Sequence, residues 1–292
     1  MNREIHAISG EKDISENVTK HKYKIRIRHH HFHFFYETTV KRHLTTIIAA
    51  NIAFIIITSL ILHFINPNNS FNINQVSTQV IVTATINTFV RLVVSYIFSV
   101  IVSIPLALLI VSTPRVQRVL LPISDVLQSI PVLAFFPVVI VFFTSSHMFE
   151  FAAIFIIFMA MVWNIVFTVI GGLQTIPEDV ESAAVVFNVT GIKKFWYITL
   201  PAIFPFIVTG SLLAWAQGWT TVIVAEVLHT YIPNGNISQD LLGLGSLLVD
   251  SSAQGKNAVF LTTLSVMILF ITLINFFVWQ RLLHLAQRFK FD

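Results

Sequence analysis

The sequence predicts an all-α membrane protein, a polytopic bundle of six transmembrane helices. Three observations predict it. Of 292 residues, 55% are hydrophobic and 11% charged, where a soluble domain carries roughly 25% charged residues; mean hydropathy is +0.79. Six apolar runs are each long enough to span a bilayer, which takes about 20 residues. Lys and Arg fall in alternate connections, as the positive-inside rule requires. A chain this poor in charge cannot cover a soluble surface, which excludes an ordinary cytoplasmic enzyme, a disordered protein and a nucleic-acid-binding domain. The pI of 9.4 then reflects basic residues sorted to the cytoplasmic face, with the bilayer and no nucleic acid as partner. There is no cysteine, so disulfides and thiolate metal sites are excluded. The runs are too long and too uniformly apolar for barrel strands.

The elements follow in order. Residues 1–43 form a basic, His-rich cytoplasmic tail, its first 20 residues disordered, and no apolar run with a cleavage site opens the chain. His29, His30, His31 and His33 lack an acidic or cysteine partner, so no metal or other cofactor is expected. The tail, with Phe32, Phe34 and Phe35, suits an anionic lipid surface. The first span is Leu44–Ile65. The second runs from about Val80 to Val111 and contains Arg91 and Pro105, the third from about Val126 to Phe143 with Pro131 and Pro137. Such breaks are tolerated where neighbours satisfy the backbone. The fourth span is Phe149–Ile170, the fifth about Ala202–Leu228, and the sixth Ala258–Trp279. Residues 281–292 form a cytoplasmic tail. Nine Lys and Arg residues precede the first span. Arg115 and Arg118, then Lys193 and Lys194, then Arg281, Arg288 and Lys290 follow at every second connection. The other connections hold only Lys256. Both termini are therefore expected in the cytoplasm. The outer connection from His229 to Asn257 carries a turn at Pro233-Asn234-Gly235-Asn236 and an apolar stretch, Leu241–Gly245, read as a short re-entrant or lid segment.

The connection between spans four and five, residues 173–199, is long for a link between membrane helices. Thr175 is placed to cap a helix, Pro177 suits its first turn, and Glu178, Asp179 and Glu181 complement the dipole. A helix is expected from Glu178 to about Phe187, a turn over Asn188–Gly191, and a second short helix beginning over Lys193–Tyr197, with Leu200-Pro201 leading into the fifth span. The surface reading is a solvated connector; the alternative is a docking element for a cytoplasmic partner.

Charges inside spans usually mark function, at about 2.5–3.5 kcal/mol for one at the bilayer centre. Arg91 and Glu226 are expected at comparable outer depth, able to pair across the bundle as part of an outer gate. Asn87, Gln217, Trp219 and Thr220 are candidates to line a path near it. The competing reading is hydrogen bonding between helices for the polar groups, with Asn164, His63 and Asn275, and interface anchoring for Trp215, Trp219 and Trp279.

The loop resembles the signature of the permease subunits of binding-protein-dependent ABC importers. That signature reads Glu-Ala-Ala, three residues, Gly, then a spacer ending in Leu-Pro. Anchored on Leu200-Pro201, Ala183 and Ala184 match the two alanines, Ser182 stands for Glu, and Asn188 stands for Gly. Asn tolerates a left-handed backbone and can make the same turn. Thr85–Arg91, Ser103–Ala107, Arg115–Arg118, Gln128–Pro131, Gly218-Trp219, Ile223–Glu226, Gly243–Gly245 and Val278-Trp279 extend the resemblance over roughly residues 80 to 290, toward the nitrate/sulfonate/taurine branch. The resemblance implies a MetI-like permease core over residues 80–280. It implies a pore of two permeases, most simply a homodimer, two ABC ATPase subunits and an extracytoplasmic substrate-binding protein. No phosphate-binding loop occurs in this chain, so ATP hydrolysis is expected in the separate subunit. The coupling loop would then seat in a groove of that ATPase through Glu178, Asp179, Glu181, Ser182, Ala183, Ala184, Phe187, Asn188, Gly191, Phe195, Leu200 and Pro201. The cargo implied is a small anion such as nitrate, a sulfonate or taurine, and the same branch also resembles carriers of thiamine-precursor pyrimidines. A stand-alone carrier or channel is the rival reading. It calls for inverted repeats and mid-span ion sites, and mid-span acids are missing. A membrane-embedded enzyme would need a His-Glu metal pair or a nucleophile elbow, and neither motif occurs in the spans.

Overall fold

A computed structural model describes residues 77–144, 148–229 and 240–289, with single positions at 49, 52, 53, 56, 57 and 60. The first span, the His-rich tail, His63 and the Pro233–Asn236 turn lie wholly or mostly outside the described residues. The chain divides into two compact units, Met1–Ile57 and Thr58–Asp292. Five positions of the first are described, all helical and exposed. The bundle belongs to the second.

Every described element is helical: α1 Thr78–Val111, α2 Pro114–Ser129, α3 Val132–Thr144, α4 Phe149–Gln174, α5 Glu178–Val186, α6 Gly191–Lys194, α7 Leu200–Ala225, α8 Leu244–Ala253, α9 Asn257–Ile274 and α10 Gln280–Ala286. A π-helical turn, Phe195–Thr199, joins α6 to α7, and another, Asn275–Trp279, joins α9 to α10. Four helical stretches are long and apolar enough to cross a membrane, or five when α2 and α3 count as one bent pair.

One expectation changes. The third span is not one straight helix from Val126. The chain bends by 84° between α2 and α3, at Ile130, whose ψ of 122° is extended. Pro131 forces this, because its ring excludes the residue before it from the helical region. Pro105 and Pro137 sit inside continuous helices. The second short loop helix starts at Gly191 and runs without a break through the π turn and Leu200-Pro201 into α7.

Hydrogen bonds fix the direction of the helices. Ser95 Oγ donates to Ile154 O at 2.9 Å, Ser99 Oγ to Phe158 O at 3.4 Å and Ser103 Oγ to Val162 O at 2.9 Å. Each pair is 59 residues apart, so α1 and α4 run parallel, meeting once per helical turn. α7 runs against α4, with Gly172 beside Phe206, Gly210 beside Thr168 and Gly218 beside Met161. α9 runs against α7 through Trp219–Phe270 and Trp215–Trp279. Between the parallel α1 and α4 the chain must return once, which α3 does. Arg115, Arg118, Lys193, Lys194, Arg281 and Arg288 therefore gather at one end of the bundle, and Lys256 stands at the other.

The core lies between α1, α4, α7 and α9. Phe89, Tyr96, Trp215, Trp219, Phe270 and Trp279 form one aromatic cluster there, with ring centroids 5.3–6.2 Å apart. All three tryptophans are buried, so they are core residues and not interface anchors. Asn164 donates within its own helix, to Ala160 O, and so does not bridge helices.

Close approach of α4 and α7 depends on glycine. A Cβ on Gly210 would strike the Thr168 hydroxyl and lie 3.1 Å from both Asn164 O and Ile165 Cα. One on Gly171 would meet nothing within 4 Å. Gly210→Ala should therefore destabilise by about 1–3 kcal/mol through overpacking. Gly171→Ala should be neutral or stabilise by up to about 1 kcal/mol. Thermal unfolding of the two variants in detergent checks the contrast.

Candidate functional site

The end of the bundle away from the basic connections holds a buried charge cluster. Arg91 lies level with the first turn of α4 and the last turn of α7. α1, at 34 residues, is about 51 Å long against a hydrocarbon core of about 30 Å. Its first three turns therefore stand beyond that level, and Arg91 sits near an end of the bundle, where a charge is less costly than at the bilayer centre.

Arg91 is 3% exposed and engages two carboxylates. Its Nε and Nη2 donate to the two oxygens of Glu150, both at 2.7 Å. Its Nη1 donates to Glu226 Oε1 at 2.8 Å and to Leu242 O at 3.1 Å. Four of the five guanidinium N–H donors are thus used in a fork that only Arg offers. Glu226 is fully buried. It also accepts from Thr88 Oγ1 at 2.7 Å and from the backbone N–H of Gly245 at 2.7 Å. Thr88 Oγ1 in turn accepts from Leu244 N at 2.9 Å, and Asn87 Nδ2 donates to Leu242 O at 3.2 Å. Burying these charges is tolerable because each is paired and hydrogen-bonded.

The cluster pins the segment Leu241–Gly245, labelled the lid for its position at this end of the bundle. Leu241 N donates to Glu226 O at 3.0 Å, and α8 follows directly. Gly243 and Gly245 are required here. A Cβ on Gly243 would land on the Glu226 carboxylate, and one on Gly245 would come within 2.6 Å of Ile223 Cα. Behind the lid, His229 donates its backbone N–H to Asp240 Oδ1 at 2.9 Å, and its Nδ1 lies 2.7 Å from Asp240 Oδ2. Burial pushes the Asp250 carboxyl above the usual carboxylate range, the nearby Asp240 charge adds to this, and His229 opposes it.

The pairing of Arg91 with Glu226 read from the sequence is present. Glu150 was missed, because an acid in the first turn of a span reads as a dipole partner. Gln217 and Thr220 are exposed on one face of α7, with Thr209 and Ala216. Trp219 points away from them, into the aromatic core.

At the opposite end, α5 begins at Pro177, with no side-chain cap, and Thr175 instead donates back to Gly172 O at 2.8 Å, closing α4. Asn188 has φ 55° and Gly191 φ 58°, so two left-handed residues flank Val189-Thr190 and reverse the chain. Lys194 Nζ reaches Glu181 Oε1 at 3.3 Å across the cleft between α5 and α6. Glu178, Asp179, Ser182 and Ala183 are exposed, whereas Ala184 is buried and Phe195, Leu200 and Pro201 are half-buried. The outward apolar surface is made by Val185, Val186, Phe187, Ile192, Trp196 and Tyr197, each 59–80% exposed. The sequence reading had only Phe187 among these; the π turn, which rotates Trp196 and Tyr197 outward, leaves no sequence signal.

Truncating a buried partner of Arg91 should cost more than truncating the exposed one. Glu226→Ala should cost about 3–5 kcal/mol, the range for breaking a buried pair. Glu150→Ala, whose carboxylate is 54% exposed, should cost less, about 1–3 kcal/mol, because it leaves two donors of the buried Arg91 without their partner. Melting temperatures in detergent check the order, and a larger loss for Glu150→Ala would contradict it.

Residues 99–289 match the family model of binding-protein-dependent transport system inner membrane components. The chain is 32% identical over 168 residues to the nitrate import permease protein NrtB of Leptolyngbya laminosa, covering 58% of this chain and 56% of that one. It is 28% identical to the bicarbonate transport system permease protein CmpB of Synechococcus elongatus, over 58% of this chain and 57% of that one. It is 24% identical to the taurine transport system permease protein TauC of Escherichia coli, over 47% and 49%. The chain thus spans about half the length of the curated relatives it matches. With a family model covering all but the first turns of the described bundle, this chain belongs to the binding-protein-dependent transport system inner membrane components.

Proposed function

We propose that the chain is the permease subunit of an ATP-driven ABC importer, with the basic end of the bundle in the cytoplasm and both termini there. A second copy of the chain completes the pore, two ATPase subunits dock on α5 and α6, and an extracytoplasmic binding protein delivers the solute. The cargo is a small solute bearing an anionic group, in line with the relatives' names.

The observation that carries this reading is the exposed apolar surface of α5, α6 and the π turn. Six apolar or aromatic side chains stand exposed at the basic end of the bundle, among lysines and acids, uncovered by the protein's own core. A patch of this kind marks a protein partner. The hinge at Asn188 and Gly191 gives α5 a fixed angle, and the π turn makes α6 continuous with α7. Closure of the ATPase pair would push α5 and α6 as a lever on that span, a rigid-body coupling. At the far end, Arg91, Glu226 and Asn87 act as an outer gate by pinning the lid. Gln217 and Thr220 line the passage from the exposed face of α7, where they stand with Thr209, Leu213 and Ala216.

The tagged chain, solubilised in mild detergent from its own cells, should recover an ATP-binding cassette protein. Val186→Asp with Phe187→Glu should abolish the recovery. Asn188→Gly should keep it, since Gly accepts the left-handed backbone. Asn188→Val should weaken it, at a strain of about 1–3 kcal/mol. A chain that purifies alone in every version would point to a stand-alone carrier.

A further inference from the structure

The first turn of α1, the last turns of α8 and the start of α9 surround an open cavity of about 530 Å³ beside the lid. This is within the size range of small-molecule sites, about 300–1,000 Å³. Its polar wall is Ser77, Asp250, Ser251, Gln254 and Lys256, over an apolar floor from α1, α8 and α9.

Asp250 and Lys256 bring opposite charges to one space, and among the described residues neither makes an ion pair. The backbone holds their positions. Gly255, at φ 65°, ends α8, and Lys256 N donates back to Ser251 O at 2.9 Å, the long-range bond of a glycine-terminated helix. Behind Asp250 stands a second carboxylate, Asp240, 5% exposed and engaged by His229 alone among the described side chains. Two carboxylates with one histidine make this the acidic wall of the cavity, suited to a cationic group. A hard metal ion wants six or more oxygens, and Lys256 opposes any bare cation. A simple anion is repelled from the Asp250 side. A molecule with an ammonium and an acid group on a short stem meets both walls.

We propose that this cavity is a vestibule site for a small zwitterion of the amino-sulfonate or amino-carboxylate class. Its ammonium binds Asp250, and its acid group binds Lys256 with the Ser77 hydroxyl and the Gln254 amide. The site's purpose rests on the importer reading; its ability to bind does not. Among the cargoes in the relatives' names, taurine carries an ammonium, and nitrate and bicarbonate do not.

The chain has no cysteine, so Ser77→Cys places a single thiol on the cavity wall, where the native hydroxyl makes no capping bond. Gln254→Cys is a second reporter should the first fail to fold. The full-length variant in membrane vesicles is labelled with a small thiosulfonate reagent in the presence of taurine, nitrate or ethylamine. Taurine should slow labelling saturably, and the other two should not at the same concentration. Asp250→Asn and Lys256→Gln should each raise the half-protecting concentration roughly tenfold, the loss expected for one charge-assisted bond. Protection should also weaken as pH falls, because burial and the neighbouring Asp240 charge raise the Asp250 carboxyl, which then gives up its charge early; Asp240, His229 and Lys256 are the other charged or titratable groups around it. Equal protection by nitrate, no protection by taurine, or protection indifferent to Asp250→Asn would each overturn the proposal. None of these results depends on an ATPase or a binding protein, so the importer reading stands or falls separately on co-purification.

Discussion

One buried guanidinium organises the lid end of this molecule. Arg91 cannot sit in an apolar bundle unless its charge and its N–H donors are met there. Meeting them draws in Glu150 from α4, Glu226 from α7 and the Leu242 carbonyl from the lid. Glu226 must then have its own lone pairs filled, which recruits Thr88 and the Gly245 amide. The lid is consequently held by hydrogen bonds to charged groups, with glycines where side chains would collide. Four segments separated by up to 151 residues converge on one side chain.

The two ends of the bundle are built on opposite principles. The lid end is dense, polar and internally satisfied. The basic end leaves apolar side chains standing free and spaces them with two left-handed residues and a single exposed ion pair. Surface pairs of that kind contribute little stability, so Glu181 and Lys194 restrain α5 without locking it. The membrane-facing middle is held by packing and by serine hydroxyls that reach neighbouring carbonyls, which is how helices associate where lipid removes any hydrophobic drive.

Much of this was legible in the residues. Spans show as unbroken apolar runs, and their alternating basic connections agree with the helix directions. Arg91 and Glu226 were readable as a pair because both lie in apolar surroundings at similar depth. Glu150 was not, because its alignment with Arg91 depends on α1 and α4 being parallel, which no local pattern reveals. The bend at Ile130 was hidden inside an apolar run. Three prolines looked alike, and only Pro131 follows a segment, Arg115–Ser129, polar enough to lie apart from the span. Tryptophan misled for a related reason: its composition fits an interface belt, and only the facing of α1, α7 and α9 makes it core. Thr175 fits the pattern of a start and acts as a stop, since Pro177 moves the helix boundary by two residues.

The parallel pairing of α1 and α4 has a consequence for biogenesis. The partner that grips Arg91 in a fork is encoded 59 residues later, and the buried one 135 residues later. At 5–20 residues per second, the ribosome needs roughly 3–12 s to deliver Glu150 and about 7–27 s to deliver Glu226. Throughout that interval α1 enters the bilayer with an uncompensated cation. Its side chain must stay among the headgroups, and the helix settles to final depth only when α4 arrives. The three serines below it wait for the same partner, so α1 and α4 can pair only once Glu150 has been made.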